Sequence, residues 1–338
     1  MYSKIFKSYL QTIDKNYDEN KPLISVVIPL YNKEAYIKRT INSVINQTFQ
    51  NFEIIVVNDA STDNSLSIVR SIKDKRIKIF NRKRNTGPHF SRNYGIKNAK
   101  GKYIAFLDAD DEYKPFFLKT IVSLMIKYQG IKIYATSFKK VYDYMPEKRT
   151  FYGKTEDCII NNFINEIVKN KNFTLQLSSM VIEKQLLMDV GLFYCPKNYR
   201  SADITTEDVD LFVRLSMYYD KIAYSNRICS IYYRNTQYSI SKTISKKQYR
   251  FDFLEKSLAK KKRKAKTKEE KHIIDELKYG FYDAIVLQLI MKTNFELAEK
   301  VLKKIPIKRR KKEIIKMLKI QKTNFLLTKN FYSKKRNG

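Results

Sequence analysis

Tryptophan is absent from the 338 residues, and histidine (His89, His272) and cysteine (Cys158, Cys195, Cys229) are rare. Two histidines leave no material for a histidine-rich metal centre or a histidine triad, so a carboxylate leads as any general base. Three scattered cysteines without a C-x-x-C pair argue against a disulfide framework and a zinc site, and read as core or incidental thiols in a reducing compartment. Glycine numbers only eight, with none before Gly87. The opening βα unit therefore lacks G-x-G-x-x-G, and G-x-x-x-x-G-K-[ST] occurs nowhere. No apolar run approaches the ~18 residues of a membrane span, and MYSKIFKSYLQTIDKNYDENK lacks a signal-peptide core. The expectation is a cytoplasmic protein, with peripheral attachment to the cytoplasmic face of the inner membrane left open.

Acid is the scarce sign of charge: 34 acidic residues face 67 basic ones, a net of +33. Residues 245–338 hold 29 basic and 10 acidic residues, so over half the excess sits in little more than a quarter of the chain. Such a surface attracts nucleic acid, acidic phospholipid or phosphorylated lipid-linked substrates alike.

What is present is globular: 43% hydrophobic, 30% charged, with 25 tyrosines and 20 phenylalanines. The length suits one domain of about 240 residues plus a smaller one. A 1–22 extension, a main domain over 23–244 and a basic helical module over 245–338 are expected. Apolar runs at 23–29, 53–58, 76–80 and 103–107 alternate with helical spacing (Ile37, Ile41, Val44, Ile45; Leu66, Val69, Ile72), predicting an α/β fold with a mostly parallel, helix-covered sheet. Asn32 and Ser61 or Thr62 are the expected helix caps, and Pro115 opens a helix with Phe117, Ile121, Val122 and Met125 inward. Further on, strands are predicted at 131–138 and 174–182, a loop around 144–157, helices near 157–169 and 183–189, and two short β runs in 221–233. Leu211, Leu215 and Tyr218 share one helical face, and 261–271 reads as an exposed helix edge or linker.

The chemistry concentrates in YIAFLDADD, residues 103–111, where an apolar strand ends in Asp108, Asp110 and Asp111. Ligands of open α/β sheets bind at that end of the strands. Unneutralised acids there are opposed by repulsion and desolvation, which a divalent cation carrying phosphates offsets. The bland alternative is a polar strand exit facing water. Asp59, ending the second strand, is placed to accept hydrogen bonds from a base or ribose, or else serves as a turn aspartate.

Several ordered motifs share a source. ISVVIPLYNKEAYIKRTINSVINQTFQNFEIIVVNDASTDN at 24–64, Asn85-Thr86-Gly87, Ser91-Arg92-Asn93-Tyr94-Gly95, LDADD and Glu207-Asp208 resemble the family 2 glycosyltransferases over about 24–234. That resemblance implies a GT-A fold, a donor-binding part at 23–111, an acceptor-side part at 112–244, and inverting transfer from a nucleotide sugar with Mn²⁺ or Mg²⁺ as cofactor. Carried over residue by residue, Pro29, Tyr31 and Glu34 line the base and ribose end, Asp59 recognises the base, and Arg92 lies near the nucleotide. Asp108 and Asp110 belong to the metal–diphosphate site, with Asp110 the metal ligand and Asp108 bound through water. Asp208 is the general base, with Asp210 the alternative, since three acids stand together in TEDVD. Glu207 falls on the acceptor side; by composition rather than resemblance, the tyrosine-containing segments 142–152 and 194–206, with Tyr194 and Tyr199, are acceptor-side candidates whose rings either stack on sugar or simply fill core and surface. Within the resemblance, Arg234 and Ser239 belong to a closing segment. A histidine common just before that segment in the family is missing, which leaves its phosphate contact in doubt.

The expected partners are a UDP-linked hexose or N-acetylhexosamine donor, a glycan or lipid-linked saccharide acceptor, and an anionic membrane surface for 245–338; self-assembly is open. The competing classes are a nucleic-acid or other polyanion-binding protein and a noncatalytic sugar-binding relative. No RNA-recognition signature, zinc finger or G-x-x-G clamp supports the former.

Overall fold

A computed structural model describes residues 18, 20–142, 145–149, 156–170, 173–195, 207–233, 252–291, 295–306, 314–315, 318–320 and 322. The expectations for 1–17, 196–206 and 234–251 fall outside these residues. The chain divides into two compact units, on either side of Lys242.

In the first unit, four β-rich runs build a parallel sheet. β1 (Ile24–Leu30), β2 (Phe52–Asn58), β3 (Ile77–Asn81) and β4 (Tyr103–Phe106) pair in the order β3-β2-β1-β4. β1 and β2 are nearly continuous apolar segments because both faces are covered. Their covers include α1 (Ile37–Ile45), which buries Ile37, Ile41 and Val44, together with α2 (Ser65–Ser71) and α3 (Pro88–Asn98). Proline at the first helical position opens α3 where a missing N–H costs nothing. Gly95 lets α3 lie directly on β1, since a Cβ there would sit 2.5 Å from Cγ1 of Val27.

Beyond β4 the sheet becomes mixed. β9 (Met180–Glu183) runs antiparallel between β4 and β6 (Ile133–Tyr142), and β10 (Ile222–Tyr233) is parallel to β6. β5 (Glu112–Tyr113) and β8 (Cys158–Ile160) pair antiparallel with β10, and β7 (Met145–Arg149) with β6. The helices here are α4 (Phe117–Lys127), α5 (Phe163–Lys169), α6 (Lys184–Asp189) and α7 (Glu207–Tyr218). This is the α/β, GT-A-like sheet expected, its parallel half continued by a mixed one.

Several local expectations are corrected. Residues 145–149 form strand rather than loop, 158–160 form strand before the helix begins at Phe163, and Leu177–Ser179 is a 3-10 turn ahead of β9. The two runs of 221–233 are one strand with register shifts near Ser225 and Ile228. Tyr218 is exposed, whereas Leu211 and Leu215 are buried. Neither Asn32 nor Ser61 nor Thr62 caps a helix; α1 follows Tyr36 and α2 follows Asn64. These side chains join the two loops to each other instead.

The second unit contains α8 (Asp252–Lys264), α9 (Lys268–Met291) and α10 (Phe295–Lys303). Tyr282, Phe295, Ala298, Val301, Leu302 and Ile305 pack together with Ile314 and Leu318. The tyrosine hydroxyl of Tyr282 donates to Glu255, which also accepts from Lys304 at 2.9 Å. Between α8 and α9, Thr267 and Glu270 form a reciprocal cap: each backbone N–H donates to the other side chain at 3.1 Å. The charged stretch 261–271 is thus the end of one helix, a capped turn and the start of the next. No helix among the described residues is long and apolar enough to cross a membrane.

Candidate active site

The site lies at the C-terminal ends of β1, β2 and β4, where three loops are tied together. After β1, Asn32 takes a left-handed conformation (φ 49°). Its side chain accepts from the Thr62 N–H at 2.8 Å and donates to Thr62 Oγ1 at 3.1 Å. The Lys33 N–H donates to Ser65 Oγ at 2.7 Å, the Glu34 N–H to Asp63 at 3.0 Å, and the Asn64 N–H to Glu34 at 2.9 Å. Glu34 therefore helps fix the loop that carries exposed Tyr31, just beyond Pro29 in β1.

Asp59 follows β2 and is buried. Its carboxylate accepts from the N–H groups of Thr86 (3.0 Å) and Gly87 (2.6 Å), with Arg82 Nε 3.4 Å away. Burial pushes its pKa up, against the lowering effect of these donors. Gly87 stands at φ 94°, a conformation that favours glycine, and Pro88 then starts α3. Asp59 so shapes the Asn85-Thr86-Gly87 loop from below.

Side chains hold four backbone atoms of the β4 exit. Ser178 Oγ accepts from the Asp108 N–H at 3.1 Å, Thr40 Oγ1 reaches the carbonyls of Ala109 (3.0 Å) and Asp111 (2.8 Å), and Arg39 donates to the Asp110 carbonyl at 2.8 Å. Arg39 also lies over the Tyr233 ring, 3.9 Å from its centroid. Sequence placed three acids together, but their side chains part. Asp111 turns into the protein and is fully buried, accepting from Ser178 Oγ (2.7 Å), Gln176 (3.2 Å) and the Tyr233 N–H (3.1 Å). Burial first, and the charges of Asp108 and Asp110 second, hold its carboxyl well above the usual range. Asp108 and Asp110 remain at the surface of the site.

Two basic residues meet those acids. Lys33 Nζ is 2.7 Å from Asp110 Oδ2. Arg92, on α3 and packed against the Phe193 ring, donates to Asp108 at 2.7 Å and lies 3.4 Å from Asp208. Its neighbour Asn93 anchors the Phe193 backbone through two hydrogen bonds of 2.8 and 2.9 Å. Arg92 thereby brings the exit of β4 and the start of α7 to one point, although Asp208 lies 116 residues beyond it in sequence. Asp208 is 44% exposed at the side chain, while Asp210, 1% exposed, is engaged by Arg214 Nε at 2.8 Å. Tyr194 is exposed; Tyr199, Arg234, Ser239 and the side chain of Glu207 lie outside the described residues.

Periodicity and motif reading missed Lys33, Arg39, Thr40, Gln176 and Ser178. Only the position of Lys33 beside Tyr31 and Asn32 offered a signal. Two outward aspartates are oxygen donors suited to a hard cation whose remaining ligands come from phosphate and water. Among the described residues no group of three His, Cys, Asp or Glu side chains is arranged to hold a metal.

The fold and this acidic strand exit define an α/β protein with a carboxylate pair, Asp108 and Asp110, at the C-terminal end of its parallel strands. The model of glycosyl transferase family 2 matches residues 25–185, and the chain belongs to that family. An uncharacterized glycosyltransferase of Rickettsia prowazekii, RP339, is 31% identical over 229 residues, 64% of this chain and 67% of that protein. One from Haemophilus influenzae is 49% identical over 94 residues, 27% of this chain. The match spans only 38% of that relative's length. Among solved structures, residues 1–349 of TarS from S. aureus in complex with UDP-GlcNAc superpose with a TM-score of 0.62 at 21% identity, covering 84% of this chain and 76% of that one. At that identity the likeness is one of fold.

Proposed function

We propose that the first unit transfers a hexose or N-acetylhexosamine from a UDP-linked donor to a hydroxyl of a glycan or lipid-linked saccharide, with inversion at the anomeric carbon. The observation that carries this reading is the Arg92 bridge, which sets Asp208 beside the β4 exit bearing Asp108 and Asp110. TarS, which shares the fold, is seen with UDP-GlcNAc.

In this reading the loops after β1 and β2 form the nucleoside end, with Pro29, Tyr31 and Glu34 on one side and Asp59 shaping the 85–87 loop on the other. Asp110, with Asp108 through water, would hold Mn²⁺ or Mg²⁺. When bound, that cation supplies Lewis-acid neutralisation of the departing diphosphate. Asp208 takes the proton of the acceptor hydroxyl as the oxygen attacks the anomeric carbon. The bond from that carbon to the diphosphate oxygen breaks, and its electron pair leaves with the nucleoside diphosphate. A single displacement inverts the centre. Positioning makes an ordinary carboxylate an adequate base, since charge grows on the attacking oxygen. Asp210 is poorly suited to the task because Arg214 occupies its buried carboxylate.

Thermal unfolding with UDP, GDP or CDP, each with Mn²⁺ or EDTA and with short RNA as control, tests the donor site. Metal-dependent stabilisation by one nucleotide is expected. Stabilisation by RNA alone, abolished by salt and unchanged in Asp110→Asn, would transfer support to polyanion binding.

The second unit is read as a peripheral membrane contact. Residues 260–271 contain eight basic and two acidic residues. Of these, Glu270 caps the turn and Lys262 is tied to Asp275 at 2.7 Å, while Lys260, Arg263, Lys264, Lys266, Lys268 and Lys271 are exposed. The tip lacks aromatic residues on which bases could stack, which favours acidic headgroups over single-stranded nucleic acid.

A further inference from the structure

Lys33 does something that the motif reading gives it no reason to do. Its ammonium sits 2.7 Å from Asp110 Oδ2, with the side chains only 11% and 15% exposed. Withdrawing both charges from water is costly unless they stay paired. Holding the turn in shape does not require this contact. The backbone of 108–111 is already fixed by Ser178, Thr40 and Arg39.

The Lys33 backbone, in contrast, is immobilised. Its N–H donates to Ser65, and the flanking Asn32 and Glu34 are bonded to Thr62 and Asn64. What can move is the four-carbon stem with its point charge, the form in which lysine meets phosphate in many sites. A divalent cation on Asp110 and an ammonium on the same oxygen exclude one another. A cation taking that oxygen competes with the ammonium, whose stem can then turn to donor phosphate within reach of a fixed backbone.

We propose that Lys33 is a diphosphate-binding residue that exchanges the Asp110 carboxylate for donor phosphate when metal and nucleotide bind. The inference rests on the donor-site reading above. Charge supports it. Asp108, Asp110 and Asp208 face Lys33 and Arg92, leaving one net negative charge among these groups. A divalent cation together with the two charges of a nucleoside diphosphate sugar adds nothing net. The exchange therefore passes between two arrangements of equal charge, and the ammonium is paired in both. Metal alone would instead displace Lys33 without offering it phosphate, so the lysine opposes metal and favours metal with diphosphate.

That opposition gives the test its sign. Lys33→Met keeps an unbranched stem and removes the charge. Mn²⁺ binding without nucleotide, followed by the electron paramagnetic resonance of the free ion, should tighten about tenfold. UDP binding at saturating Mn²⁺ should weaken about tenfold, while uridine, which lacks phosphate, should be unaffected. Lys33→Arg should retain both properties in part. Changes of the same sign for Mn²⁺ and UDP, or no change in a variant that melts as the wild type does, overturn the proposal. A second measurement needs no variant. Acylation of the Lys33 amine in the wild-type chain, read by mass spectrometry, should rise with Mn²⁺ alone and fall with Mn²⁺ and UDP; an unchanged or reversed pattern overturns it. If the wild type binds UDP with Mn²⁺ and Lys33 shows neither effect, only the lysine assignment falls. If no nucleotide binds with metal, the donor-site reading falls and takes this inference with it.

Discussion

The two units use charge in opposite ways. In the first, ionic groups converge: Lys33 with Asp110 and Arg92 with Asp108 and Asp208 join separate segments, and Arg214 holds buried Asp210 one turn away on the same helix. In the second, the basic residues of 260–271 point mostly outward, and the described pairs, such as Lys262–Asp275 and Lys304–Glu255, lie on partly exposed side chains. Converging charges of both signs define a place where a particular ligand can be bound and changed. Diverging charges of one sign define a surface, attractive to any polyanion and strongly weakened by salt. The comparison yields predictions whose size follows how far each charge is enclosed.

The largest effect is expected at the convergence itself. Asp208→Asn should lower sugar transfer about a thousandfold, the range of a lost general base, while leaving the melting temperature near that of the wild type because the side chain is half exposed. Product formation from a nucleotide sugar, alongside a melting curve, measures both. A variant that transfers sugar at the wild-type rate would remove Asp208 from the mechanism.

Asp210→Asn should behave in the reverse way. Its carboxylate is buried against Arg214, so neutralising it leaves a guanidinium facing Val190 and costs about 3 kcal/mol of stability. Denaturant unfolding reads that loss, and activity per folded molecule should be retained. Stable but inactive Asp210→Asn would exchange the roles of the two acids.

How much of this contrast could be read from sequence depends on the range of the forces involved. β1, β2 and β4 were legible because strands covered on both faces are unbroken apolar runs, and the acids ending β4 announced a ligand-facing exit. β7 was not legible, because MPEKR at a sheet edge carries no apolar alternation. Asn32 and Thr62 looked like helix caps since capping residues and loop-bridging residues are of the same types; only their mutual bond, 30 residues apart, tells them apart. The acids at 108, 110 and 111 read as one cluster, and spacing could not show that Asp111 would turn inward to Ser178 and Gln176. Lys33 and Arg39 carry no periodic signal, and their importance arises from what the fold places opposite them. The excess charge of the second unit was fully visible as a count, whereas the capped turn that presents it was not.

That presentation predicts a smaller effect. Replacing Lys264 and Lys268 with serine should weaken binding to vesicles containing phosphatidylserine by about 30-fold at low salt, at roughly 1 kcal/mol for each charge near an anionic surface. Flotation of the wild type and the double variant at two salt concentrations checks it. Equal binding by both would make the tip a solvated helix end, and preference for RNA over vesicles would change the partner.

The smallest effect compares one carboxylate from each unit. Glu53 is buried on β2 and accepts from Ser25 Oγ (2.6 Å), the Lys100 N–H (2.6 Å) and Lys78; burial raises its pKa, but these donors together prevail and hold it below its ordinary value of 4.5. Glu255 is held below 4.5 in the same way by Tyr282 and Lys304 against a raising effect of burial, but its side chain is 32% exposed. A depressed carboxylate contributes stability above its unfolded pKa and loses it as pH falls through the lower folded value. Both contributions should therefore be complete at pH 7 and fade below about pH 4.5. Enclosure sets their sizes: Glu53→Gln should cost about 1–2 kcal/mol at pH 7 and Glu255→Gln less than about 1 kcal/mol. Melting curves between pH 3 and pH 7 should show each variant converging on the wild type in acid, with the wider gap at neutral pH for Glu53. Equal gaps would mean that enclosure does not separate the two units' charges, and a gap that widens in acid would reverse the sign of the linkage.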